Sequence, residues 1–183
     1  MTMATQLNGA RVAFVATDGV EQVELDQPWA AVTDAGGQPE LISLADGKIQ
    51  AFNHLDHGDT RQVDRVLDDV DADDYVALVL PGGVANGDFV RVDHRAVSFV
   101  KDFFTAGKPV GVICHGGWVL IEAGVASGRT VTSWPSLQTD FRNAGAEWVD
   151  QELVVDENLV TSRKPDDLPA FTKAVVEKIA AAV

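Results

Sequence analysis

The sequence predicts an α/β fold built on a mainly parallel sheet. Three observations carry that prediction: apolar runs that do not alternate, helical spacing in the segments between them, and glycine at the junctions. Tyr75–Leu80 and Val110–Ile113 are apolar along nearly their whole length, as strands covered on both faces must be. No internal repeat or low-complexity linker interrupts the chain, so residues 1–183 are read as one domain.

The elements follow in order. Arg11–Ala16 reads as a short strand that ends in the turn Asp18-Gly19. Val20–Ala35 has helical spacing at Val23, Trp29, Ala30 and Val32, and closes at Gly36-Gly37. Glu40–Leu44 is a second strand, and Asp46–Gln62 is a hairpin or irregular insertion. Tyr75–Leu80 is a buried strand that runs into Pro81-Gly82-Gly83. Asp93–Ala106 is an amphipathic helix, capped by Asp93 and closed by Gly107. Lys108–Ile113 is the next strand, with Cys114 at its end and helical spacing from Trp118 to Gly124. A short strand near Thr130–Thr132, a helix over Pro135–Ala144, and strands at Glu152–Val155 and Leu159–Thr161 follow. A helix from Asp166 to about Ala181 completes the pattern.

Composition narrows the function. A net charge of −14 disfavours nucleic acid, because a polyanion is repelled. Six aspartates fall within Asp64–Asp74, but without the glycine and closing glutamate of an EF-hand they read as solvated surface. No apolar stretch is long enough for a bilayer, and Met1–Gln6 has neither the basic region nor the apolar core of a signal peptide. With a single cysteine there is no intramolecular disulfide, so a cytoplasmic location is expected. Neither a G-x-G-x-x-G after a strand nor a Gly-Lys-Ser/Thr occurs, and no cofactor is expected. His54-x-x-His57 with Asp56 and Asp59 lacks further His or Cys ligands, so no metal is expected, and His94 is read as surface.

The chemistry centres on Cys114. It sits between a buried strand and a helix start, where free N–H groups and the helix dipole favour a thiolate. The competing reading is a buried core cysteine, which the flanking His115-Gly116-Gly117 argues against. In a parallel sheet the crevice lies at the carboxyl ends of the strands, so three loops meet there. They hold Glu21 and Glu24, then Gly82-Gly83, then Cys114-His115. Gly83 and His115 amides are candidate oxyanion donors, although Gly-Gly alone can be only a tight turn. Glu24 is either a solvated helix residue or a protonated donor to the thiolate. His115 is the candidate base, although adjacent residues on a helix do not face each other, so a direct pair needs a sharp turn. No histidine follows position 115, which disfavours a class I glutamine amidotransferase with its downstream histidine.

With these residues assembled, the chain resembles the ThiJ/PfpI superfamily, in its PfpI-type intracellular protease branch, from about Arg11 to Ile179. The resemblance rests on Val20–Leu25, Ala77–Gly83, Gly107-Lys108-Pro109, Ile113-Cys114-His115-Gly116, Ser133-Trp134-Pro135, Asn143–Asp150 and Ser162–Leu168. It implies a flavodoxin-like three-layer sandwich with the cysteine in a strained nucleophile elbow, on a fold like that of class I glutamine amidotransferases. It also implies Glu24 beside the thiol, His115 adjacent to it, and a third catalytic acid, matched by Asp88, reaching the site of a neighbouring subunit. Three positions depart from the pattern: Gly117 replaces a proline of the usual Cys-His-Gly-Pro, Gly87 replaces another in an Asp88 loop thereby made more flexible, and Trp134 replaces a tyrosine of archaeal members. The implied function is a stress-response cysteine hydrolase acting on peptides, glycated proteins or aldehyde adducts. The alternative is a redox-sensing or chaperone-like stress protein without turnover, since a lone reactive thiol also suits reversible oxidation.

Overall fold

The protein is described by a computed structural model over residues 6–183, so Met1–Thr5 of the N-terminal segment read above lie outside the described residues. The first half of the chain contributes β1 (Arg11–Val15), β2 (Val20–Glu21), α1 (Gln22–Asp34) and β3 (Gln38–Ser43). The hairpin β4 (Lys48–Asn53) and β5 (Asp56–Gln62) follows, then β6 (Arg65–Val66) and β7 (Ala77–Leu80). After β7 come α2 (Val84–Val92), α3 (His94–Thr105), β8 (Val110–Ile113) and α4 (Gly117–Glu122). The chain ends with β9 (Thr130–Val131), α5 (Gln138–Asn143), β10 (Glu147–Trp148), β11 (Val154–Asp156), β12 (Leu159–Ser162) and α6 (Leu168–Ala180).

The main sheet runs β11-β12-β8-β7-β1-β3-β6, parallel throughout except for β11. Period-two geometry splits its apolar residues between two cores. Val12, Phe14 and Val79 pack with Leu25 and Val32 of α1 and with Phe171 and Val175 of α6. Ala13, Val15 and Leu80 face the other way, onto Phe99 and Phe103 of α3 and Leu120 of α4. Both faces are therefore covered, which is why the strands read as continuous apolar runs rather than as alternation. These layers form the mainly parallel α/β fold that the sequence predicts, in the flavodoxin-like sandwich that the resemblance implies.

The chain runs from β1 to β3 on one side, then crosses back to place β7 on the other side of β1. That reversal opens a crevice at the carboxyl ends of β1 and β7, the usual ligand position in open parallel sheets. A small sheet, β2-β4-β5, stands beside the crevice, and β9 pairs with β10 elsewhere. Val20 and Glu21 pair with Ala51 and Phe52, so α1 begins at Gln22 rather than at the expected Val20. Asp46–Gln62 is a hairpin with a register shift between Gln50 and Phe52.

The segment after Gly83, expected as a flexible loop around Asp88, is instead the helix α2. Gly87 there is a close-approach position: a Cβ would lie 2.6 Å from the His115 carbonyl oxygen. Gly117 likewise leaves room for the Phe141 ring, which a Cβ would approach to 2.8 Å. At Gly87, where a more flexible loop was expected, the glycine instead permits a close approach within a helix. No helix among the described residues is long and apolar enough to cross a membrane.

Candidate active site

The end of β8 delivers Cys114 into a sharp turn. Cys114 has φ +61°, in the left-handed region, and Cys114–Gly116 form a single 3₁₀ turn before α4. A non-glycine residue held there stores backbone strain, which tertiary contacts must maintain. The turn also answers the geometric objection to a neighbouring pair. His115 folds back so that its Nδ1 lies 3.2 Å from Cys114 Sγ.

The Pro81-Gly82-Gly83 turn closes over the sulfur from β7. A Cβ at Gly82 would collide with the Glu24 carboxyl and come within 2.5 Å of Cys114 Cβ. Gly83 has φ +96°, and a Cβ there would strike the backbone of Gly19–Glu21. Both glycines are therefore required by close approach, not only by turning. Asn86 of α2 fixes the turn: its amide donates to the carbonyls of Pro81 (3.1 Å) and Gly82 (3.0 Å), and its Oδ1 accepts from Thr17 N–H (2.8 Å). This clamp ties the β7 turn to the β1 loop, and sequence reasoning gave Asn86 no role.

Glu24 is fully buried, which removes the solvated reading. Neither carboxyl oxygen has a hydrogen-bond partner of regular geometry. Burial first, and the Glu21 charge second, push its pKa up to about 8, while contacts with Cys114 and the Gly82 amide pull it back. Near neutrality Glu24 therefore holds its proton.

The thiol departs from the sequence expectation of a lowered pKa. Burial pushes Cys114 well above the ordinary thiol value, with the Glu24 charge adding to it; the amides of Gly83 and His115 oppose this without overcoming it. The physical reason lies in the elements. The helix behind the thiol is only six residues long, so little dipole is available to offset desolvation. Burial also lowers the His115 pKa to about 4, leaving a neutral imidazole. That ring stacks on Trp134 at 5.6 Å between centroids and meets the edge of Trp118 at 5.1 Å.

Cys114, His115, Glu24 and Gly83 thus meet at one point and open into a cavity of about 500 Å³. Asp88 lines the same cavity from α2, but among the described residues no carboxylate is hydrogen-bonded to the His115 ring. The hairpin tip adds Phe52, His54 and Leu55 to the wall, and Leu55 is 93% exposed. Only an exposed leucine between polar residues hinted at that contribution. Among the described residues no cluster of three or more His, Cys, Asp or Glu is arranged to hold a metal ion.

The site can therefore present a sulfur nucleophile, a neutral base 3.2 Å from it, a neutral acid behind it and converging amides to a bound carbonyl. The sequence matches the profile of the DJ-1/PfpI family over residues 10–178. It is 44% identical over 167 residues to the deglycase TK1284 of Thermococcus kodakarensis, covering 91% of this chain and 98% of that one. It is 41% identical to the deglycase PfpI of Pyrococcus furiosus with the same coverage. Among solved structures, a two-domain protein of Anabaena variabilis with DJ-1/ThiJ/PfpI-like and ferritin-like domains superimposes with a TM-score of 0.88 at 32% identity, over 93% of this chain and 48% of that one. Matched by the family profile and by these relatives over nearly its whole length, the chain belongs to the DJ-1/PfpI family.

Proposed function

We propose that this protein is a cysteine-dependent stress hydrolase of the deglycase kind, which cleaves the C–N bond of carbonyl adducts or peptides with Cys114 as nucleophile. The observation that carries this reading is the strained Cys114 turn, with His115 Nδ1 3.2 Å from the sulfur and the buried Glu24 carboxyl behind it. The resting thiol keeps its proton, so the nucleophile forms only as substrate arrives. The thiol proton passes to His115 Nδ1 as Sγ bonds to the carbonyl carbon and the π pair moves to oxygen. The Gly83 and His115 amides then bind that oxyanion. In an amide substrate, collapse breaks the C–N bond at that same carbon, His115 returns the proton to the departing nitrogen, and water then attacks the thioester to give the acid and restore the Cys114 thiol. In a ketoaldehyde adduct the nitrogen sits on the carbinol carbon: there the amine departs with the proton from His115, Sγ takes its place as a hemithioacetal, and water displaces the sulfur to give the hydrated aldehyde and the Cys114 thiol.

A buried imidazolium needs a counter-charge. Asp88 of a neighbouring subunit supplies it in this reading. Val84, Asp88 and Val92 share one face of α2, and both valines are exposed, as an oligomer contact requires. The substrates that suit a cavity of about 500 Å³ are small adducts and extended peptides in a cytoplasmic setting, rather than folded protein.

The test is turnover of an arginine-bearing peptide adducted with an α-ketoaldehyde. Cys114→Ser is expected to abolish turnover, and His115→Ala to lower kcat by about 10²–10⁴-fold. Wild-type protein that consumes no adduct or peptide, yet converts Cys114 to a sulfenic or sulfinic acid under mild peroxide, would replace this reading with the sensor.

A further inference from the structure

The cavity mouth is acidic: among the described residues, no basic side chain lines it apart from the imidazoles of His54 and His115. Glu21 lines it beside the hairpin and Asp88 lines it from α2, while no Lys or Arg does. Among the described residues the Glu21 carboxylate accepts only the His54 backbone N–H, at 3.1 and 3.3 Å, and forms no ion pair. The arginines around the site are engaged elsewhere. Arg91 pairs with Glu122 at 2.6 Å and lies over the Trp118 ring, and Arg163 is held by Asp150 and Asp167. His115 contributes no charge near neutrality. The walls, by contrast, carry the rings of Phe52, Phe89, Trp118 and Trp134, whose faces attract cations.

We propose that Glu21 is a specificity-determining residue: its carboxylate makes the mouth select adducts on cationic segments and turn away those on anionic ones. Long-range charge acts in the same direction, since the whole chain carries −14. Discrimination of this kind needs a repulsive element as well as an attractive one, and an unpaired carboxylate at the entrance provides both. Because Glu21 acts as the acceptor in its side-chain bond from the His54 N–H, glutamine at that position keeps the bond and removes the charge.

The inference rests on the assignment of Cys114 as nucleophile, so its test has one readout that needs turnover and one that does not. Two peptides carry the same ketoaldehyde-adducted arginine, flanked by trimethyllysines in one and by glutamates in the other. In wild-type protein at low ionic strength, kcat/KM for the cationic peptide is expected to exceed that for the anionic one by about tenfold or more, falling as salt is added. In Glu21→Gln that ratio is expected to shrink severalfold, whatever the variant does to the absolute rate. The second readout is equilibrium binding of both peptides to Cys114→Ser and to Cys114→Ser/Glu21→Gln. The same preference, reduced by the second substitution, supports the inference. Equal affinity for the two peptides, or a preference unchanged by Glu21→Gln, overturns it. Absence of turnover with both peptides would sink the nucleophile assignment alone, and the binding ratio would still decide the role of Glu21.

Discussion

Glu24 and Cys114 are two acids packed together in a space too dry to hold two negative charges. Burial raises both and the Glu24 charge raises Cys114 further, while the contact with Cys114 pulls Glu24 back only in part. The proton on Glu24 is therefore part of the nucleophile: with it, a carboxylic acid faces the sulfur; without it, an anion opposes the thiolate. His115 becomes a free base above about 4 and Glu24 loses its proton near 8, so turnover is expected to be bell-shaped in pH with limbs near those values. Glu24→Gln is expected to remove the upper limb, which a pH–rate profile would read directly. The same proton has a stability consequence. Between its ordinary value of 4.5 and about 8, Glu24 binds a proton when folded and releases it when unfolded, so stability falls as pH rises. His115 acts in the opposite sense between about 4 and 6.5, where only the unfolded chain is protonated. From about 6.5 to 8 the Glu24 slope stands unopposed by His115, at no more than about 1.4 kcal/mol per pH unit. Denaturant midpoints across that window should fall more steeply in wild-type protein than in Glu24→Gln.

At the scale of elements, α2 is where local preference and tertiary structure disagree. Val84–Val92 carries Asn86 and Gly87 near its centre, both poor helix formers, and nothing in its local pattern announces a helix. Two contacts compensate: the Asn86 clamp on the Pro81-Gly82 turn, and the approach of the Gly87 backbone to the His115 carbonyl. Gly87→Ala separates the two influences. Helix propensity alone would make it stabilising by about 1 kcal/mol. The 2.6 Å approach to the His115 carbonyl reverses the sign, so a loss of about 1–3 kcal/mol is expected from the thermal midpoint, together with reduced kcat. Elements whose signal is local, such as β7, β8 and the Asp93-capped α3, were legible in the sequence. Two-residue strands such as β2, β6 and β10 were not, because their pairing partners are distant in sequence. The site divides the same way. Cys114, His115 and Gly83 follow recognisable strand ends and Glu24 sits in the first turn of α1, whereas the thiol's pKa depends on burial that only the packed molecule creates.

On the scale of the whole molecule, the sheet brings four site residues to one edge, but among the described residues no carboxylate is hydrogen-bonded to the imidazole. The exposed valines of α2 and the 50% exposed Phe89 flank Asp88 on that side of the cavity. A site completed by a second copy would use this face for two purposes, burying apolar surface and supplying the acid. Such an arrangement makes a prediction that no single-chain mechanism shares. Cys114→Ser and Asp88→Asn are each expected to be inactive or nearly so as separate proteins. If Asp88 acts across an interface, subunit exchange between the two creates sites that pair an intact Cys114 with an intact Asp88 from the other chain. For a dimer mixed in equal parts, about a quarter of wild-type activity per site should return, because half the dimers are mixed and each regains one of its two sites. The measurement is turnover of the mixture after exchange, against the two variants assayed alone. Recovery assigns the acid to the partner and makes the oligomer the catalytic unit. A mixture no more active than its components, despite exchange verified by mass, returns His115 to its own chain and leaves the apolar face of α2 unrelated to catalysis.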